Sequence, residues 1–341
     1  MKALVMERPR ADLALAEWDD PVCEDGGVVI DVGACGVCRS DHHSWTGADP
    51  TPLPHIMGHE FAGTVVESRS GIAVGQRITA PFILGCGACE ECRAGQPTIC
   101  ATQYCPGFHG PGAFAERLAI RAADFNAVAL PDAVPFEIAA AMGCRVTTAW
   151  RALVDRAVLQ EGEWVAIHGC GGVGLSALLI ARALGARVIG IDPSDAARAL
   201  AQALGADVVL DAGQLDELHE ITGGGAHVAL DALGIAATFE ASLRSLRKLG
   251  RQVQVGMPTG PSETVRLPLL ELVYARQLSL HGMRGLGAGG FTPLLELIEA
   301  GKLDLAPLIA GRIGLGEVQG IFEQMDSYAV TGVHVVTDFT R

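Results

Sequence analysis

Along the first part of the chain, apolar positions recur in short alternating runs, among them Val28 to Val32, Phe61 to Val66 and Phe114 to Ile120, broken by Gly, Pro and Asp. A period of two over four to eight residues, bounded by turn formers, is the pattern of half-buried strands. Met1 to about Val146 therefore predicts a β-rich domain with long loops. From Trp164 the rhythm changes. Apolar runs of about five residues begin near Trp164, Arg187, Asp207, His227, Arg251 and Leu278, each followed by a helical pattern. Alternating strands and helices predict a parallel sheet with crossover helices, and six such strands match a doubly wound α/β sheet. Leu175, Leu178, Leu179 and Leu184 are expected to form the buried stripe of its first helix. A further helix is predicted over Pro293 to Ala300 and a strand over Val333 to Thr337, a tail expected to return to the first domain.

A length of 341 residues exceeds one compact core and suits two domains. Hydrophobic residues make up 49% and charged residues 19%, enough apolar material to pack and too little charge for disorder. The formal charge of −14 argues against nucleic acid or an anionic membrane as a partner, since both are held through clustered Lys and Arg. Glu7 and Arg8 interrupt the start of the chain before a signal-peptide apolar region develops, and nowhere do about 18 uninterrupted apolar residues occur. A cytoplasmic location is the expectation. There ten cysteines stay reduced, so clustered ones point to metal rather than to disulfides.

Cys86, Cys89, Cys92 and Cys100 read C-x2-C-x2-C-x7-C among Gly85, Gly87 and Gly95, which let a short loop turn its thiolates inward. Four thiolates so close suit a tetrahedral structural zinc. The rival is an iron-sulfur cluster, whose ferredoxin run has a tighter last gap and a Pro after its fourth Cys; here Ala101 follows Cys100. A second set of zinc-type ligands is dispersed: Cys38 in G-V-C-R-S-D-H-H, His59 in G-H-E and Cys144 in G-C-R-V-T-T. Two thiolates and an imidazole are the ligand set of an open catalytic zinc. Spacing alone does not single them out, because a lone Cys is ordinarily core and a lone His ordinarily surface.

Trp164 to His168 runs straight into Gly169-Cys170-Gly171-Gly172-Val173-Gly174, and an amphipathic helix follows. G-x-G-x-x-G between strand and helix allows a tight turn and close approach of a dinucleotide pyrophosphate to the helix N-terminus. Asp192 ends the next strand, where a carboxylate accepts from the adenosine ribose hydroxyls and repels a 2′-phosphate, favouring NAD over NADP. Asp192 can instead be read as a helix N-cap, a role open also to Ser194 or Asp195, and the nearby Arg198 could engage a phosphate.

Taken together and in order, G-V-C-x-[ST]-D-x-H, G-H-E, the four-cysteine lobe, a Cys before T-T-A and the glycine loop resemble the zinc-dependent alcohol dehydrogenases of the medium-chain dehydrogenase/reductase family, over essentially the whole chain. The resemblance implies a GroES-like β-rich catalytic domain at 1–147 with a structural-zinc lobe at 85–101. It implies a Rossmann NAD-binding domain with a doubly wound, parallel, six-stranded sheet at 148–284, a C-terminal return to the catalytic domain at 285–341, and an active-site cleft between the domains. Two zinc ions follow, a structural one on Cys86, Cys89, Cys92 and Cys100, and a catalytic one on Cys38, His59 and Cys144 with Glu60 behind it as an occasional ligand. Matched by position, Ser40 binds the alcohol hydroxyl and starts a proton relay through the nicotinamide ribose to His43. Asp41 orients His59, and His42 is read as an exposed loop residue. Thr148, Val173 and the Val255-Gly256-Met257 turn line the nicotinamide; Trp45 narrows the substrate pocket or is plain core. The implied activity is hydride transfer between a small alcohol and NAD, giving aldehyde or ketone. The alternatives are a polyol or amino-alcohol dehydrogenase of the same family and, from another class, a non-catalytic NAD-binding regulator. The family also implies a homo-oligomer, a tetramer before a dimer, associating through the cofactor-sheet edge near Leu278 to His281. Two departures stand out: Ala197 where many members keep a ribose-binding lysine, and no arginine in Gly332-Val333-His334-Val335 where many hold the pyrophosphate.

Overall fold

A computed structural model describes residues 1–340 and divides the chain into two compact units. The first gathers Met1–Thr147, Gly285–Glu299 and the chain from Ile309 onward; the second gathers Thr148–Arg284 and Ala300–Leu308. Ala300–Leu308 thus groups with the second unit and not with the rest of the tail, and its Leu303, Leu305 and Leu308 are buried.

The first unit is built on a seven-stranded sheet whose long central strand is β1, Val28–Val37. β1 pairs antiparallel with β2, Glu60–Ser68, and its other edge is shared between Arg117–Ile120 and the C-terminal strand Val333–Asp338. Two-sided burial explains why β1 reads as a nearly continuous apolar run. Ile30, Met57, Phe61, Ile78 and Phe114 fill the core. The C-terminal helix Val318–Asp326 closes it with Val318, Ile321, Phe322 and Met325, the i, i+3, i+4, i+7 spacing of one helical face. The apolar run expected from Phe114 becomes a strand only at Arg117. Phe114 lies just before it, buried, with its N–H on the Met57 carbonyl and its own carbonyl accepting from Leu4.

The second unit has six parallel strands: β3 Trp164–His168, β4 Arg187–Ile191, β5 Val208–Leu210, β6 Ala226–Asp231, β7 Leu246–Gln254 and β8 Ser279–Gly282. Their order, β5-β4-β3-β6-β7-β8, reverses direction between β3 and β6. This is the expected doubly wound sheet, with a crevice at the carboxyl ends of its central strands. β7 starts at Leu246, ahead of the expected Arg251, because the register slips between the pairs Ala226–Leu246 and Val228–Arg251. The slip is taken up at Leu249, whose φ is +63°. In the first helix, Gly172–Ala183, the buried face runs through Gly174, Ala177, Leu178 and Ala181, with Leu175 and Ile180 beside it. Leu179 and Leu184 are half-buried, correcting the expected stripe: Leu179 falls on the solvent side of Leu175, and Leu184 lies past the last turn.

Candidate active site

β1 leads directly into a helix, α1, Arg39–Thr46, for which Cys38 is the N-cap and Gly47 (φ +81°) the stop. One carboxylate organises this junction. Asp41 is fully buried; its Oδ2 accepts the Cys38 N–H at 3.0 Å, and its Oδ1 accepts from Gly58 N at 3.1 Å and His59 Nδ1 at 2.8 Å. With Nδ1 donating, His59 Nε2 presents a lone pair, and that buried atom has no hydrogen-bond partner in the protein. A buried polar atom without a partner calls for an explanation, and a metal is one.

The second cysteine comes from elsewhere in the same unit. Phe136–Ala141 is a regular helix, α2; at Met142–Val146 its winding widens to a π-type turn that carries Cys144. Such turns recur at functional sites. Ligand atoms of Cys38, His59, Glu60 and Cys144 all lie within 4.8 Å of one another, and all four residues are buried. The electrostatics suit a cation. A hydrogen bond from Cys144 holds the Cys38 thiol well below its ordinary range, helped by Arg145 and His59, and the same contact pushes Cys144 up. Burial tends to lower the His59 pKa, but Asp41 and the Cys38 thiolate outweigh it and raise it. Burial raises Glu60 to about 7 against the pull of Arg145.

Cys86, Cys89, Cys92 and Cys100 likewise bring their sulfurs within 4.8 Å of one another. Thiolates about 2.3 Å from a tetrahedral zinc sit about 3.8 Å apart, a spacing this loop approaches, with Cys86–Cys92 at 4.0 Å and Cys89–Cys100 at 3.7 Å. The Cys86 sulfur accepts the Ala88 and Cys89 N–H groups, which lower its pKa to about 6. None of the ten cysteines is disulfide-bonded.

In the second unit, the loop after β3 fits a dinucleotide phosphate. Gly169 has φ +100°, a Cβ on Gly174 would collide with the Gly169 carbonyl, and a Cβ on Gly171 would project into open space. The following helix begins at Gly172 and Val173 with no side-chain cap on its N–H groups. Asp192 receives the Cys170 N–H on Oδ2 and the Ser194 N–H on Oδ1, each at 2.8 Å. The helix N-cap is Ser194, whose Oγ accepts from Ala197. Arg198 is engaged by Asp195, by Asp211 at 3.2 Å and by the Asp192 carbonyl at 2.5 Å. At the ends of β6 and β7, the Asp231 carbonyl holds the N–H groups of Val255 and Gly256, next to the exposed Met257, and the Thr148 hydroxyl is buried without a partner.

Residues 24–132 match the alcohol dehydrogenase GroES-like domain family, and residues 172–300 the zinc-binding dehydrogenase family. An alcohol dehydrogenase of Geobacillus stearothermophilus is 33% identical over 97% of this chain and 98% of its own. The chain belongs to the zinc-dependent alcohol dehydrogenases of the medium-chain family. An L-threonine 3-dehydrogenase of Sinorhizobium fredii is 30% identical over 96% of each chain. The solved alcohol dehydrogenase TADH from Thermus sp. ATN1 superposes with a TM-score of 0.91 at 27% identity, covering 99% of this chain and 100% of that one. The expected activity and cofactor classes hold: this is a zinc- and NAD(P)-dependent oxidoreductase acting on alcohols or aldehydes.

One residue of this dehydrogenase departs from the sequence reading, and another takes the second of its two readings. His42 is buried inside α1, where its Nε2 bonds Asp326 at 2.9 Å and its ring lies against Trp45 and Phe322; it is not an exposed loop residue. Trp45 is core packing, 5% exposed, with its indole N–H on the Ala11 carbonyl at 3.0 Å. Two more residues escaped notice. Arg145 and Asp231 are charged side chains buried beside the cluster of Cys38, His59, Glu60 and Cys144 and at the carboxyl edge of the second unit's sheet. Their signal was a lone charge inside an apolar stretch, Ala139 to Val146 and Val228 to Leu233.

Proposed function

We propose that Cys38, His59 and Cys144 hold the catalytic zinc, that Cys86, Cys89, Cys92 and Cys100 hold the structural one, and that the enzyme oxidises a simple alcohol with NAD. The observation that carries the reading is the buried four-residue cluster with its unpartnered His59 Nε2. Bound there, zinc supplies the Lewis acid that makes an alcohol hydroxyl acidic near neutral pH, and NAD supplies the hydride acceptor. Ser40, half-buried and 3.9 Å from the Cys38 sulfur, takes the hydroxyl proton. His43, one turn further on the same face of α1 and with a free Nδ1, passes it to solvent. Burial lowers the His43 pKa, which keeps the imidazole neutral and able to accept.

Gly169, Gly171, Gly172, Val173 and Gly174 would cradle the pyrophosphate, Asp192 the adenosine ribose, and Thr148, Val255 and Met257 the nicotinamide. Held by the carboxylates of Asp195 and Asp211 and by the Asp192 backbone carbonyl, Arg198 has little to offer a 2′-phosphate. We therefore expect NAD to exceed NADP in kcat/KM by roughly tenfold or more, equivalent to about 1.4 kcal/mol of discrimination. Domain boundaries near 147 and 284 follow the same reading. Ten cysteines outside any disulfide favour a reducing cytoplasm, and no helix among the described residues is long and apolar enough to cross a membrane.

A second reading, an amino-alcohol dehydrogenase, draws support from the L-threonine 3-dehydrogenase relatives. One panel decides between them: ethanol, longer primary and secondary alcohols and L-threonine, each with NAD and NADP. Threonine as the best substrate would displace the first reading. Ser40→Ala should lower kcat by about 10²- to 10⁴-fold with both zinc ions retained; full activity would remove Ser40 from the mechanism.

A further inference from the structure

Glu60 stands among the proposed zinc ligands, yet both of its oxygens are engaged elsewhere. Arg145, the residue after Cys144, donates its backbone N–H at 3.2 Å and its Nε–H at 2.9 Å to Oε1. Its Nη2 donates to Oε2 and, at 2.7 Å, to the Val37 carbonyl at the end of β1. The pair is sealed in, with Arg145 4% exposed and Glu60 0%. Gly36 makes the room, since a Cβ there would collide with Glu60 Oε2 and lie 3.3 Å from Arg145 Nη2. Only a planar guanidinium fork can meet both oxygens and a carbonyl at once.

Once ionised, a carboxylate buried this deeply requires a cation, and two are within its reach: the guanidinium and the metal between the thiolates. We propose that Arg145 is a positioning residue that sets the coordination number of the catalytic zinc. By holding both oxygens of Glu60, it keeps that carboxylate out of the fourth position, which stays open to the alcohol. The inference rests on the ligand assignment above. Without the arginine side chain the metal is the one cation left to Glu60, and the site closes to four protein ligands, the form of a structural zinc.

The test compares the full-length enzyme with Arg145→Met, Arg145→Met/Glu60→Gln and Glu60→Gln, each loaded with zinc and, separately, with cobalt(II). Metal content comes first: a wild-type chain that holds metal only on the four-cysteine lobe overturns the ligand assignment itself. With both sites filled, the probe is 1,10-phenanthroline, which extracts metal by first adding at an open position. Arg145→Met is expected to change the visible cobalt spectrum, to slow metal extraction roughly 10- to 100-fold and to raise the alcohol KM by a similar factor. Adding Glu60→Gln is expected to return the spectrum and extraction rate to wild-type values. An unchanged spectrum and rate in Arg145→Met, loss of its catalytic metal, or no restoration by the second substitution overturns the proposal. Should Arg145→Met not fold, Glu60→Gln alone decides. With Arg145 in place its cobalt spectrum is expected to match wild type, and a changed spectrum would mean that Glu60 is a ligand despite the arginine.

Discussion

Asp41 gathers the N–H groups of Cys38, Gly58 and the His59 ring on one buried carboxylate, so it fixes two proposed ligands and the tautomer of one. Asp41→Ala leaves those three donors without an acceptor. Zinc affinity at the catalytic site should fall about 10- to 100-fold, read by competition with a fluorescent chelator, while the lobe keeps its ion. Unchanged affinity at both sites would remove Asp41 from that role. His168 makes a separate case. It is fully buried with one partner, Ser245 Oγ at 3.1 Å, and burial lowers its pKa from the ordinary 6.5 to about 4. Above pH 6.5 it is neutral in both folded and unfolded chains and costs nothing. As pH falls from 6.5 to about 4 the unfolded chain gains the proton first, so stability declines through that window by about 3 kcal/mol. His168→Gln should remove that part of the slope in urea titrations; an unaltered slope would refute it. At this scale the sequence was legible where residue type carries chemistry, as with cysteines and loop glycines. It was opaque at His42, whose partner Asp326 lies 284 positions away and is brought near only by the folded core.

Elements divide in the same manner. The four-cysteine loop declares itself because every sulfur comes from one short segment, and Gly87 (φ +73°) and Gly95 (φ +74°) take the left-handed turns that close it. Cys100→Ser should lose the lobe zinc alone and speed amide exchange across residues 85–101 while β1 stays protected, as mass-resolved hydrogen exchange would report. Exchange that accelerates throughout β1 would mean the lobe is no independent unit of structure. The six parallel strands were readable from period and length, whereas the true start of β7 was not. Residues 246–250 carry no apolar alternation, and the slip in register is a property of the pairing with β6.

For the molecule as a whole, the order of motifs fixed the family better than any one of them. Cys38, His59 and Cys144 are scattered along the sequence and become a set only through the sheet and the widened turn that carry them. The sheet of the second unit also ends in two edge strands, β5 and β8, and β8 is the one flanked by exposed apolar side chains. β8 ends its sheet with Leu280 41% exposed, and Leu269, Leu270 and Tyr274 just before it are 63%, 71% and 76% exposed. An open edge beside exposed apolar side chains is a surface that natural proteins cover. We expect homo-oligomers through this edge, and Leu270→Glu with Leu280→Lys should lower the mass seen by light scattering. A monomeric wild type, or a variant of undiminished mass, would refute it.

The widened turn at Met142–Val146 holds one residue more than an α-helical turn would. Removing that residue would let α2 continue as regular helix, a locally easier winding, while swinging Cys144 and Arg145 by about 100° to another side of the helix. The enzyme therefore sits a single codon from a shortened relative that gains a regular helix, loses the buried Arg145–Glu60 pair and does no chemistry. For anyone changing the length of loops and turns in this enzyme, a change at this turn would be felt twice, as lost turnover and as an unpaired buried carboxylate.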